Sequence, residues 1–231
     1  MADDHYVLAT SKPWHEDLAK ERHWIDQRFF WASSPAQLKH LLSENSNVRY
    51  VFFLHWNWFV PGEVLERFEC VCFHMTDLPF GRGGSPLQNL VARGFKETKL
   101  SAIRMTEEMD AGPIYEKRSL SLLGAAEKIY REAGELSFDI IQWMISVHPI
   151  PKPQEGEPVI FKRRNPGQSR MPESGELEKI YDHIRMLDAP TYPKAYLEYG
   201  DFVVEFSQAD IEGDSLKASV CIKLKNEEES S

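Results

Sequence analysis

The run Tyr50 to Val60, YVFFLHWNWFV, is apolar along nearly all of its length and does not alternate with polar residues. A strand with one face in water alternates with period two, so a run without alternation needs cover on both faces, as in a parallel sheet flanked by helices. The surrounding chain supplies the partners. His5 to Ala9 and Arg28 to Ala32 read as strands, and Phe68 to His74 and Lys99 to Met105 read as two more. Between them lie helical patterns. Pro13 opens one, with Ser11 as its cap, and Ser33, Ser34 and Pro35 open a second that runs through Leu38, Leu41 and Leu42. Val64 to Phe68 and Leu87 to Gly94 are short helices, the latter closed by its glycine, and Ala125 to Val147 is the longest.

Strands alternating with helices define an α/β domain with a Rossmann-like, largely parallel sheet. No GxGxxG follows the first strand, so the dinucleotide-binding reading of such a sheet lacks its phosphate-cradling turn. His148 to Gln168 holds five prolines and reads as an extended crossover. Beyond it, Ser174 should cap an amphipathic helix through Leu177, Ile180, Tyr181 and Ile184. Phe202 to Phe206 and Leu216 to Leu224 read as strands, the second with Leu216, Ala218, Val220, Ile222 and Leu224 on one face. The expected organisation is a domain over 1–165 and, over 166–231, a helix with a small β-containing extension and a disordered acidic tail, NEEESS.

A formal charge of -9 opposes a partner held mainly through phosphates, so no nucleic acid is expected. No apolar run is long enough for a membrane span, the N-terminus is acidic, and three cysteines make no disulfide framework. A cytoplasmic protein follows. The alternating C-terminal strand is compatible with a homodimer.

The candidate chemistry lies between Cys70 and Tyr115. His74 ends one strand and Asp110 follows another, 36 residues later, with a Gly/Pro loop, Pro79 to Pro86, in between. Histidine titrates near neutral pH and a carboxylate can orient its ring, which suits proton transfer. Cys70, Cys72 and His74 share a strand face, but neighbours two apart sit roughly 6.5 Å from each other along a strand, a strained fit for a zinc cage. No metal is expected, and the thiols read as core residues. Lys12, Trp14 and His15 follow the first strand, on the edge where α/β sheets bind ligands, and could meet a base or a diphosphate.

These stretches resemble the folate-dependent N-formyltransferases, the group of methionyl-tRNA, glycinamide-ribonucleotide and nucleotide-sugar formyltransferases. That family has a strand ending in Asn-x-His, an SLLP-type loop with Arg-Gly and a following proline, and a distal D-x-G-x-I. Here His74 is followed by MTDLPFGRGGSP, and MDAGPI carries Asp110. WFVP, Trp58 to Pro61, stands at the family's folate-binding turn. FKRRNP at Phe161 to Pro166 and IRMLDAPTYPKAYL at Ile184 to Leu197 look like the segment closing the catalytic domain in sugar formyltransferases.

The resemblance implies the formyltransferase fold and N10-formyltetrahydrofolate as co-substrate. It implies a nucleotide-linked amino sugar as acceptor, such as a 4-amino-4,6-dideoxyhexose or a pseudaminic acid precursor. His74 would shuttle the proton and Asp110 would orient it. Trp58, Phe59 and Val60, with Leu78, would line the pterin pocket, and Thr106, Glu107, Glu108 and Met109 would close over it. On the residues themselves, Arg82, Gly83, Gly84 and Ser85 form a loop that either presents backbone donors and one cation to an anionic or hydroxylated acceptor or serves only as a connector, and Gln88 on the next helix is a further candidate. Cys72 stands where the family carries asparagine, a donor to the formyl oxygen, and a thiol donates more weakly. Two other readings stay open: a folate- or nucleotide-binding member that lost turnover with its asparagine, and a methionyl-tRNA formyltransferase-like enzyme, expected to carry a larger, basic C-terminal domain.

Overall fold

The computed structural model describes residues 4–190 and 192–225. Strands β1 (His5–Thr10), β2 (Phe29–Ala32), β3 (Val48–Leu54) and β4 (Cys70–His74) pair in parallel in the order β2-β1-β3-β4. The chain then makes β5 (Phe80–Gly83), β6 (Glu97–Arg104), which is antiparallel to β4, and β7 (Ile114–Ser121), which completes the six-stranded sheet beyond β6. Helices α1 (Trp14–Lys20), α2 (Pro35–Glu44), α3 (Gly62–Arg67), α4 (Pro86–Val91), α5 (Ala126–Val147) and α6 (Leu177–Arg185) separate the strands or follow them.

β3 is buried on both faces. Val51 and Phe53 join Val7, Ala9, Leu38, Leu42, Val60, Phe68 and Cys70 in one apolar cluster, while Tyr50, Phe52 and Leu54 are fully buried on the opposite face. Full burial of such side chains contributes roughly 2 kcal/mol each, and that requirement accounts for the absence of alternation. On α5, Gly134 allows close helix packing: a Cβ there would lie 2.9 Å from Leu18 Cδ1 of α1 and 3.3 Å from the His15 ring. Because β1 leads to β2 on one side and β3 lies on its other side, the topology reverses between β1 and β3, whose carboxyl ends are Thr10 and Leu54. In open α/β sheets such a reversal opens a ligand crevice.

The chain divides into two compact units, Met1–Gly83 with Thr98–Leu120 and Arg131–Ile160, and Gly84–Glu97 with Ser121–Tyr130 and Phe161–Ser231. The first carries most of the six-stranded sheet. In the second, β9 (Ala195–Tyr199), β10 (Phe202–Glu212) and β11 (Ser215–Leu224) form an antiparallel sheet, ordered β11-β10-β9. The register keeps the alternating residues of β11 on one face, but Val220, Ile222 and Leu224 are exposed there.

Several local expectations change. Ser11 does not cap α1; its hydroxyl donates to His55 O (2.7 Å), and Pro13 occupies the cap position. Ser174 does not cap α6, whose cap is Glu176 with no side-chain bond. Ser34 does cap α2, accepting from Gln37 N–H. The Gly/Pro loop contains β5, and the proline-rich crossover contains β8 (Val159–Phe161), its partner, because ladder bonds override weak strand propensity. β7 was hidden by Glu116, Lys117 and Arg118 in its middle. The NEEESS tail lies outside the described residues.

Candidate active site

His74 sits at the carboxyl end of β4, 8% exposed, in register with Ser101 of β6. Its Nε2 lies 2.8 Å from Gly81 O, and since a carbonyl only accepts, Nε2 carries the proton. Nδ1 therefore turns toward Asp110, whose Oδ2 is 3.6 Å away. Asp110 lies between β6 and β7 with φ +54°, a left-handed conformation that aspartate tolerates better than most residues. Gly83 N–H donates to the same Oδ2 (2.9 Å) and fixes the carboxylate.

Cys72 shares the strand face of His74 and pairs with Ile103 and Phe53 across the sheet. Burial, then the charge of Asp110 and the neighbouring Cys70, push its thiol far above the usual range. Burial likewise pushes Cys70 up to about 12. Cys72 is thus a protonated S–H donor and no thiolate nucleophile. Among the described residues, no group of three or more His, Cys, Asp and Glu side chains is placed to hold a metal.

Two loops meet beside this site. A Cβ on Gly62 would lie 3.6 Å from Glu107 Oε1, so the turn around 58–62 abuts 106–109. Trp58, Phe59 (86% exposed) and Met109 (72% exposed) show apolar surface there, and Trp56 packs edge-on to Trp58 at 4.8 Å. Val60 is instead buried in the core cluster, and Thr106 is exposed with its hydroxyl on Glu108 O. Leu78 is fully buried, its carbonyl accepting from Lys117 Nζ, so its side chain presents no surface to a ligand.

The expected acceptor loop is organised differently. Arg82 is not a free cation: its guanidinium donates to Gln154 Oε1 (2.9 and 3.1 Å) and Glu108 Oε1 (3.2 Å). The Gly83 N–H is committed to Asp110, and the Gly84 N–H to Phe161 O. Ser85 Oγ accepts from Arg164 N–H. Gln88 is 1% exposed and donates to Tyr130 OH and Met186 O, which makes it a tie inside the second unit and no surface contact. Gln154, at the centre of the Arg82 arrangement, escaped sequence reasoning because a lone glutamine among prolines carries no pattern.

At the topological reversal, His15 is buried and bonded to Thr10 Oγ1 (2.6 Å) and to His55 Nδ1 (3.2 Å), the two imidazoles stacking at 5.1 Å. His15 is therefore interior and does not face a ligand as expected. Trp14 is half-buried, with Lys12 Nζ 5.7 Å from its ring and its indole N–H buried without a partner. Burial lowers Lys12. Burial, then the proximity of His55 and Lys12, depresses His15 to about 2, and burial followed by Lys12 depresses His55 to about 4. Both rings fold neutral while the unfolded chain protonates near pH 6.5, so stability is full above that pH and falls as pH drops toward 4. The expected loss at pH 5 is about 2 kcal/mol per histidine. Urea midpoints at pH 7 and pH 5 measure it, and His15→Gln should shrink the difference by about half.

A six-stranded, mostly parallel sheet with a histidine and a carboxylate meeting at one strand end, beside an aromatic loop, defines an α/β protein of the formyltransferase fold. A solved structure named methionyl-tRNA formyltransferase, from Clostridium thermocellum, is 41% identical, with TM-score 0.90 over 96% of this chain and 100% of that one. The chain belongs to the formyltransferase family. The model of the methionyl-tRNA formyltransferase C-terminal domain matches residues 166–223. The methionyl-tRNA formyltransferase of Rickettsia africae is 25% identical over 173 residues, 71% of this chain and 56% of that protein. The chain thus spans about half the length of the curated relatives it matches. A sugar N-formyltransferase from a Shewanella species, 15% identical with TM-score 0.65 over 89% of this chain and 97% of its own, shares the fold.

Proposed function

We propose that this chain transfers a formyl group from N10-formyltetrahydrofolate to the amine of a nucleotide-linked amino sugar, with residues 1–165 as the catalytic part and 166–231 as an appendage. The observation that carries the reading is the His74 Nδ1 to Asp110 Oδ2 approach at the end of β4, with the carboxylate fixed by Gly83. The folate, when bound, supplies the formyl carbon. The apolar surface of Trp58, Phe59 and Met109 suits a flat heterocycle. As the amine nitrogen bonds the formyl carbon, His74 takes the amine proton at Nδ1 and gives it to the leaving folate nitrogen when the old C–N bond breaks, while Asp110 stabilises the charged ring and Cys72 offers its S–H where negative charge gathers on the formyl oxygen. Lys12 and Trp14, at the reversal between β1 and β3, support a nucleotide there. The net charge of -9 favours a small acceptor over a polyanion.

A second reading, formylation of methionyl-tRNA, is favoured by the 41% identical relative and the C-terminal domain match. Incubation with N10-formyltetrahydrofolate and, in parallel, nucleotide-linked amino sugars or methionyl-tRNA, read by product mass, separates the two. No transfer to any acceptor, with tight folate binding, would leave a binding protein. Because a thiol is the weaker donor, Cys72→Asn is expected to raise kcat about 10-fold, a fraction of the 100 to 1000-fold an oxyanion donor can contribute. Steady-state assay at matched thermal stability checks it, and a fall in kcat would mean the site is built around cysteine.

A further inference from the structure

We propose that Gln154 is the positioning residue that sets the Asp110 carboxylate against His74, an inference that rests on the reading of that pair as the reacting groups. Its segment is an extended, proline-rich crossover, yet it is pinned beside β7 by paired backbone bonds between Lys152 and Ile114 (2.7 and 2.8 Å). Two residues on, the Gln154 carboxamide uses its whole bonding capacity. Nε2 donates to Asp110 O and Gly112 O, both at 2.8 Å, and Oε1 accepts from Arg82 Nε and Nη2. One side chain therefore bridges the carbonyls on either side of the turn that projects Asp110 to the arginine preceding Gly83, whose N–H holds Asp110 Oδ2.

That bridge has a physical task. Asp110 sits at positive φ, a conformation that costs an L-residue on the order of 1–2 kcal/mol and persists only where its surroundings enforce it. The carbonyls of Asp110 and Gly112 flank Ala111 in the turn, and Gln154 Nε2 takes both. Glutamate could keep the Arg82 bonds but has no donor for the carbonyls; asparagine is one methylene shorter; alanine loses all four bonds. Gln154 lies in the crossover, so this segment belongs to the active site although none of its side chains carries reactive chemistry.

The test uses the full chain with Gln154→Ala and the near-isosteric Gln154→Glu, the latter covering the case in which alanine fails to fold. Two quantities are read: hydrogen exchange and the 1H–15N shift of the Gly83 amide, which report its bond to Asp110, and formyl-transfer kinetics. The expected result for Gln154→Glu is a shifted, faster-exchanging Gly83 amide together with a kcat lowered 10-fold or more and KM for both substrates within about twofold. An unmoved Gly83 amide in a folded variant overturns the proposal, whatever the kinetics. A moved amide with kcat within twofold of wild type also overturns it. Should the wild-type chain transfer formyl to no acceptor, the function fails, whereas the amide still decides whether Gln154 positions Asp110.

Discussion

His74→Ala and Asp110→Asn are each expected to lower kcat by roughly 100 to 10,000-fold, the range over which a positioned proton-transfer group contributes. The two should act differently on the same pair. His74→Ala removes the imidazole, and with it the bond from Nε2 to Gly81 O that fixes the tautomer. Asp110→Asn keeps an oxygen for the Gly83 N–H but deletes the carboxylate charge facing Nδ1, while the Nε2 bond to Gly81 O still holds the ring. The double variant should fall little below the worse single one, since the residues work as a unit. Circular dichroism melts confirm folding, and steady-state kinetics with the formyl donor give the rates. Wild-type turnover in both would remove the site from this position.

Gly112→Ala carries the largest expected effect on stability. A Cβ at Gly112 would lie 1.7 Å from Arg104 O and 2.9 Å from Arg104 C, and both are backbone atoms. No flexible side chain can withdraw. Arg104 N–H is itself bonded to Pro113 O at 2.9 Å, so the end of β6 and the start of β7 would have to separate to admit one methyl group. The loss should exceed about 3 kcal/mol, the upper range for overpacking, and should displace the turn that carries Asp110. Urea denaturation reads the stability. A midpoint shift under a tenth of the wild-type value would mean the turn has room to move.

Much of this arrangement was legible from residue order because the signals were local and chemical. The two-sided burial of β3 was written in Val51 to Leu54, and the positions of His74 and Asp110 followed from apolar runs ending in loops. The misses share a cause. β5 and β8 exist through pairing across a gap of 75 residues, which no window of propensity samples. Position in the chain, after the first strand for His15 and in or after the Gly/Pro loop for Arg82 and Gln88, points to ligand-facing side chains, but each is drawn inward by a partner distant in sequence: His55, Gln154 and Met186.

What the sequence by itself determined is the class of fold and the residue types carried to the end of β4, because periodicity records which faces are buried and residue type records which proton chemistry is available. The tertiary structure decided which polar groups remain free to act. It committed Arg82 and Gly83 to the Asp110 turn, left Cys72 a thiol beside a carboxylate, and placed Gln154 between segments forty to seventy residues away. Hydrogen bonds saturate, so a donor's availability depends on every partner brought within about 3 Å, and only the folded chain sets those distances.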